Sequence, residues 1–193
     1  MELAMSVQLL RRKFTVEQYH KMVDSGILKE DDRVELIRGE IIEMSPIGTK
    51  HAACVRRLHN LLVLKLQGRA IVDSQNPVVL SDTSEPQPDV ALLKPRDDFY
   101  ASTHPHPQDI YLLIEVADTT VKYDEEVKIP LYAEEGIMEV WLVDIKEESI
   151  EVYREPAAGG YQNVRKFVAG ENLSIGVFGD VNISVKEIFG KND

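Results

Sequence analysis

Apolar residues at Val55, Leu58, Leu62 and Leu66 recur at helical spacing, which predicts a helix from about Thr49 to Leu66 with one buried stripe and Gly68 as its stop. Upstream, Phe14 and Thr15 open a shorter helix. Thr15 can cap it, Gln18 can complete a capping box, Phe14 can staple against Tyr19, and Gly26 can end it. The pattern then changes period. Arg33 to Met44 reads as a hairpin, with Val34–Ile37 and Ile41–Met44 as strands around a turn at Arg38-Gly39. Beyond Gly68 the chain reads as strands at Ala70–Val72, Pro77–Leu80 and Pro88–Leu93, and Asp97–Asp109 reads as a loop. Tyr111–Val116 and Glu139–Asp144 are nearly continuous apolar runs, as expected of strands buried on both faces. Between them a helix is predicted from about Asp124 to Glu135, stopped by Gly136 and kinked or started late by Pro130, which has no amide donor. Ile150–Arg154 and Tyr161–Val168 form a C-terminal hairpin across Ala157–Gly160. The order predicts a mixed α/β fold with a central sheet flanked by helices, an N-terminal helix and hairpin, and a C-terminal β-hairpin.

A length of 193 residues fits one domain over the whole chain, 1–193. Cys54 is the single cysteine, which excludes an internal disulfide framework and a Cys-rich zinc site and suits a reducing cytoplasm. Met1 to Lys13 has no long apolar segment, so no secretory leader is expected. Leu58 to Leu66 is too short and too polar for a bilayer, and no membrane association is expected. The formal net charge of −11 argues against tight, sequence-independent nucleic-acid binding, although basic pairs occur at Arg11-Arg12, Arg56-Arg57 and Arg165-Lys166.

Two carboxylates stand out against this pattern. Asp89 and Glu115 each lie at the end of an apolar strand, where an isolated charge is expensive to bury. Sharing a divalent cation would offset that expense, and hard cations take oxygen ligands. The alternative for each is a loop cap or a surface ion pair. Glu35 lies among apolar neighbours in the hairpin; it reads either as a further metal or water ligand or as a solvent-facing carboxylate opposite Arg33 or Arg38. His51 projects from the inward stripe of the long helix near its start. It could touch a phosphate, hold a carboxylate, or donate to a core carbonyl. His104 and His106 read as residues of a Pro-rich loop, and Trp141 reads as core. No glycine pattern of a nucleotide-binding loop is present.

Pro88-Asp89, a strand, a loop and then Glu115-Val116-Ala117 resembles the Pro-Asp…(Asp/Glu)-X-Lys nuclease superfamily. More specifically the chain resembles the Uma-two family of restriction endonuclease-like proteins. The residues that carry the resemblance are Phe14-Thr15, Val34 to Glu40, His51, Pro86 to Asp89, Ile114 to Val116, Asp124, Lys128, Tyr132, Gly136 and Val140 to Asp144, so that it runs from Phe14 to Phe189. It implies a restriction-endonuclease-like core, with Mg²⁺ or Mn²⁺ held by Asp89, Glu115 and the carbonyl of Val116. Glu35 resembles the extra acidic residue that this superfamily draws from near its N-terminus. Ala117 departs from the pattern by standing where the motif has a catalytic lysine. Lys128 is the candidate replacement, because Asp124, Lys128 and Tyr132 recur at helical spacing and share one face. Its alternative role is a salt bridge to Asp124. Lys122 is a second candidate, in a loop.

The leading expectation is therefore a Mg²⁺-dependent endonuclease acting on DNA, binding it weakly or transiently and working as a homodimer by analogy with other duplex-cutting enzymes. Asp89, Glu115, Lys128, Glu35 and His51 would form its active site. Its rivals are a catalytically silent binding or assembly domain on the same fold, and a hydrolase of a non-nucleic phosphate ester.

Overall fold

The computed structural model describes residues 11–29 and 31–191. Most of the segment read for a leader, Met1 to Lys13, lies outside them. Among the described residues no helix is long and apolar enough to cross a membrane.

The first helix, α1, spans Val16–Asp24 and carries the reciprocal Thr15–Gln18 capping box. Strands β1 (Val34–Ile37) and β2 (Glu40–Glu43) pair antiparallel around Arg38-Gly39. Both turn residues have positive φ, 47° and 77°. Glycine is required at the second, because a Cβ on Gly39 would come within 2.8 Å of the Lys13 Cβ and 3.0 Å of the Phe14 carbonyl. Helix α2 runs Thr49–Leu66, and Gln67 rather than a glycine takes the left-handed C-cap, at φ 51°.

A six-stranded sheet follows, in the order β3-β4-β5-β6-β7-β8. Its strands are β3 (Ile71–Asp73), β4 (Val90–Leu93), β5 (Ile110–Ala117), β6 (Glu139–Asp144), β7 (Ser149–Ala157) and β8 (Gly160–Phe167). Only β5 and β6 are parallel; the other neighbours are antiparallel. Alternation divides the core between the two faces. Leu92, Leu112, Ile114, Trp141 and Val143 pack with Leu58, Leu62 and Leu66 of α2. Ala91, Leu93, Leu113 and Val140 pack with Ile129, Leu131 and Tyr132 on the other side. Pro77–Leu80 is not a strand of this sheet. Val78 and Leu80 are buried, but the backbone amides of Val78, Val79 and Leu80 bond to Pro86, Pro105 and Ser84 in neighbouring loops. A β-rich run thus lies outside the ladder because its partners are irregular segments.

The crossover from β5 to β6 begins earlier than its sequence pattern indicates. It consists of α3 (Val121–Tyr123), a π-helical turn over Asp124–Lys128, and α4 (Ile129–Glu134). Pro130 offers no amide to the preceding turn, and directly upstream of it the helix widens, with the Ile129 N–H bonding the Asp124 carbonyl. The C-terminal region adds a second antiparallel pair, β9 (Asn172–Ile175) and β10 (Phe178–Ser184), and then α5 (Val185–Phe189), whose Ile188 packs into the α2 side of the core.

Candidate active site

The side-chain alternation that places Leu113 toward α4 also places Glu115 there. Val90 pairs with Ile114 in the β4–β5 register, so one further step places Asp89 across from Glu115. The Val116 N–H donates to Asp89 Oδ2 at 2.8 Å and fixes that carboxylate at the strand end. Both residues line a cleft of about 510 Å³, together with Glu35, His51, Asp124 and Lys128. The hairpin, α2, the ends of β4 and β5, and the crossover helix each contribute to it.

Lys128 is 4% exposed, and its Nζ lies 3.2 Å from Glu115 Oε1, 3.3 Å from Glu115 Oε2 and 3.2 Å from Glu35 Oε2. It also donates to the Gln87 carbonyl at 3.4 Å. Tyr132 donates a hydrogen bond to Glu115 Oε1. Lys128 is thus the shared cation of two buried carboxylates rather than the partner of Asp124, which Thr120 Oγ1 holds at 3.0 Å. Lys122 is exposed. Glu35 does not face solvent: it is 2% exposed and accepts from the Gln87 N–H and the Tyr123 hydroxyl, each at 3.1 Å. His51 Nε2 donates to Asp89 Oδ2 at 3.0 Å, and Gln75 Nε2 donates to Asp89 Oδ1 at 3.3 Å. His51 Nδ1 is buried with no partner among the described residues.

The electrostatics follow from crowding acids in a dry pocket. Burial pushes the Glu115 carboxyl well above its usual range, against the pull of Lys128 and with Asp124 and Asp89 adding to the rise. Its negative neighbours, Glu115 and Glu35 foremost, raise Lys128, overcoming a burial effect that acts the other way. The bond to Asp89 raises His51. Burial lifts Asp124 from its usual 3.8 to about 6.

The Asp124 shift has a sign that can be measured. The folded protein binds this proton more tightly than the unfolded chain does. Its contribution to stability is therefore full below about pH 4 and is lost as the pH rises through about 6. In EDTA, Asp124→Asn should melt at a higher temperature than the parent at pH 7 and at nearly the same temperature at pH 4, since an amide oxygen can still accept from Thr120. A parent melting curve whose advantage or deficit against the variant does not change with pH would contradict this.

An ion-binding role can be judged from the donor set. Glu35, Asp89, Glu115 and Asp124 converge on one cleft with Lys128 as the buried cation between two of them. That excess of desolvated carboxylate oxygen fits a hard divalent cation. Tyr123, Thr120 and Gln87 also line the cleft, and Gln75 holds Asp89 beside it; none of the four is singled out from sequence for a role of its own. Tyr123 and Gln87 reach Glu35 from far along the chain, so nothing local marks them, whereas Thr120 lies four residues before its partner Asp124.

The comparisons with known proteins agree with this architecture. The family model described as "Putative restriction endonuclease" (Uma2) matches residues 16–186. The fold is similar to that of a crystal structure described as a putative nuclease belonging to DUF820 from Anabaena variabilis ATCC 29413. The two chains are 20% identical, the match covers 92% of this chain and 98% of that one, and the TM-score is 0.70. At that identity the likeness speaks for the fold: a mixed central sheet flanked by helices, similar to a nuclease fold. No curated protein matches the chain.

Proposed function

The chain belongs to the Uma2 family of restriction endonuclease-like proteins, and from that premise and the geometry of the cleft we propose that it is a Mg²⁺- or Mn²⁺-dependent endonuclease that hydrolyses phosphodiester bonds in DNA. The family supports a nuclease-like function. The observation that carries the finer reading is the Lys128 amine, 3.2 Å from both Glu115 and Glu35 in the cleft that Asp89 lines. Ala117 leaves the strand without a lysine. The crossover helix delivers one to the Glu115 carboxylate from the side.

In this reading Asp89, Glu115 and the Val116 carbonyl would hold the cation, with Glu35 assisting. When bound, the cation would lower the pKa of a water and neutralise charge on the scissile phosphate. The protein's own groups do the rest. His51 and the Val116 amide hold Asp89 at the strand end. Tyr132 and Lys128 orient Glu115. Lys128 would place a positive donor beside the attacking water and the non-bridging phosphate oxygens. The Glu35 and Tyr123 pair holds that lysine from its far side. A homodimer, one cleft for each strand, is part of the proposal for a duplex substrate.

A second reading has an observation in its favour: Lys128 and Tyr132 already occupy both Glu115 oxygens with internal bonds. A silent domain that keeps the nuclease fold would look like this. Cleavage of plasmid DNA, single-stranded DNA, RNA and a small aryl phosphodiester, each with Mg²⁺, Mn²⁺ or EDTA, separates the readings. We expect metal-dependent cuts in DNA. Metal binding without cleavage of any substrate would favour the silent domain, and turnover of the small ester alone would favour a non-nucleic phosphodiesterase.

The charge of −11 sets a further expectation. Binding to nonspecific duplex DNA should be weak at low salt and weaker still as salt is added, because few basic groups are available to displace counterions. Fluorescence anisotropy of a labelled duplex in EDTA tests it; tight binding that survives high salt would contradict it.

A further inference from the structure

Away from the acidic cleft, α1 brings His20 next to Glu85, and the Pro-rich loop brings His104 to the same point. The ligand atoms of these three residues all lie within 4.8 Å of one another, the one such group of three or more His, Cys, Asp or Glu side chains among the described residues. His20 Nε2 lies 2.7 Å from Glu85 Oε2, and the His20 and His104 ring centroids are 6.2 Å apart. We propose that His20, Glu85 and His104 form a transition-metal site of the zinc class, separate in place and chemistry from the acidic cleft.

The donor set makes the distinction. Two imidazoles and one carboxylate suit zinc and its first-row neighbours, whereas magnesium prefers an all-oxygen shell. Ligands of a tetrahedral zinc stand roughly 3.3 Å apart, given bonds of about 2.0–2.1 Å. His20 and Glu85, now 2.7 Å apart, would open by about 0.6 Å to admit the ion, and His104 would draw in by less than the length of one such bond. The arrangement allows that small movement. Glu85 is the rigid member: it is 5% exposed, and its backbone is bonded both ways to Leu36, N–H to carbonyl at 2.7 Å and carbonyl from N–H at 3.3 Å. His20 stands on a helix tied down by the Val16 N–H bond to the Asp82 carbonyl at 2.7 Å. His104 is exposed, but the next residue, Pro105, is buried and accepts from the Val79 N–H at 2.9 Å. The three residues border a second cavity of about 400 Å³, where Asp24 and Asp32 add negative charge and Lys29 opposes it. Three protein ligands with a cavity in front leave room for water as the fourth.

Such an ion would clip α1 and the loop onto the segment that runs from Glu85 through Gln87 to Asp89. Gln87 borders both cavities, and its backbone bonds Glu35 and Lys128. The site is thus a candidate support for the acidic cleft.

Cobalt(II) is the probe, because a tetrahedral site with nitrogen ligands gives intense visible absorption. The full chain, without a histidine tag and stripped with EDTA, is titrated with Co²⁺ and then Zn²⁺. We expect one equivalent to develop the band, Zn²⁺ to bleach it, and excess Mg²⁺ to leave it unchanged. His104→Ala, at an exposed position that does not threaten folding, should weaken Zn²⁺ binding by roughly a hundredfold or more. His20→Gln should do the same, and the rise in melting temperature on adding Zn²⁺ should vanish in both. Asp89→Asn should keep the band. Identical Co²⁺ uptake in the parent and His104→Ala, or a band lost in Asp89→Asn and kept in His104→Ala, would overturn the proposal.

Discussion

Replacing Lys128 with alanine should reduce metal-dependent cleavage by about a hundredfold or more, the usual effect of removing a donor that stabilises developing charge. The structure adds a second consequence. Lys128 is the buried cation between Glu115 and Glu35, so its loss leaves two desolvated carboxylates facing each other. Breaking a buried pair in this way costs about 3–5 kcal/mol. Burial already holds the Glu115 carboxyl well above its usual pKa with the lysine in place, and loss of the lysine, whose charge pulls it down, raises it further. The stability deficit of Lys128→Ala should therefore shrink as the pH falls, because protonation removes the repulsion, and should also shrink when Mg²⁺ is added. Melting curves across pH, with and without metal, alongside single-turnover cleavage, give both readouts. Undiminished cleavage would remove the lysine from the mechanism, and a deficit independent of pH would show that packing, not charge, was lost.

Asp89→Asn should abolish Mg²⁺-dependent turnover to within detection while leaving the fold close to intact. Asparagine keeps an oxygen to accept the Val116 N–H, so the strand end stays anchored, but it brings no charge to the cation. The same change should lower the pKa of His51, which is raised chiefly by its bond to Asp89. NMR titration of the His51 ring reads that shift without reference to activity, and calorimetry reads Mg²⁺ affinity. Unchanged Mg²⁺ binding in the variant would place the ion elsewhere.

These expectations rest on parts of the chain that differ in how far they can be read from sequence. The strands β5 and β6 are legible because burial on both faces leaves unbroken apolar runs, and a carboxylate at 115 stands out against such a run. Helix α2 is legible from its single stripe, and α1 from its capping chemistry. Asp124, Lys128 and Tyr132 are legible as one face of a helix, since the widened turn still turns all three inward. The tail from Asn172 to Phe189 is not legible: β9 is four residues long, β10 is partly exposed and shifts register along its length, and pairing with each other is what defines them. Pro77–Leu80 misleads because β propensity reports a residue's fit to a buried extended backbone, not the identity of its bonding partner. Glu35 is ambiguous in sequence because two of its bonding partners, Gln87 and Tyr123, arrive from far along the chain. The group of His20, Glu85 and His104 is invisible for the same reason. The spacing of His104 and His106 could suggest a metal site but offers no third ligand nearby, and the fold brings His104 to His20 and Glu85 instead.

The widened turn at Asp124–Lys128 also bears on which changes in length this protein can accept. A five-residue bond in a four-residue ladder means that the helix carries one residue beyond α-helical register at that point. Deleting a residue there would give a more regular helix, with better backbone bonding than the present one. It would also swing everything upstream by about 100° relative to Tyr132. Tyr123 would turn away from Glu35, and Asp124 from the cleft. Substitutions along this segment can be graded one at a time, but a shift in its length is all or nothing. Descendants of this chain can then vary its exposed positions, Glu125 and Glu126, while its residue count stays locked, because a one-residue deletion turns Tyr123 and Asp124 away from the Glu35, Asp89 and Glu115 that the hairpin and the sheet still present.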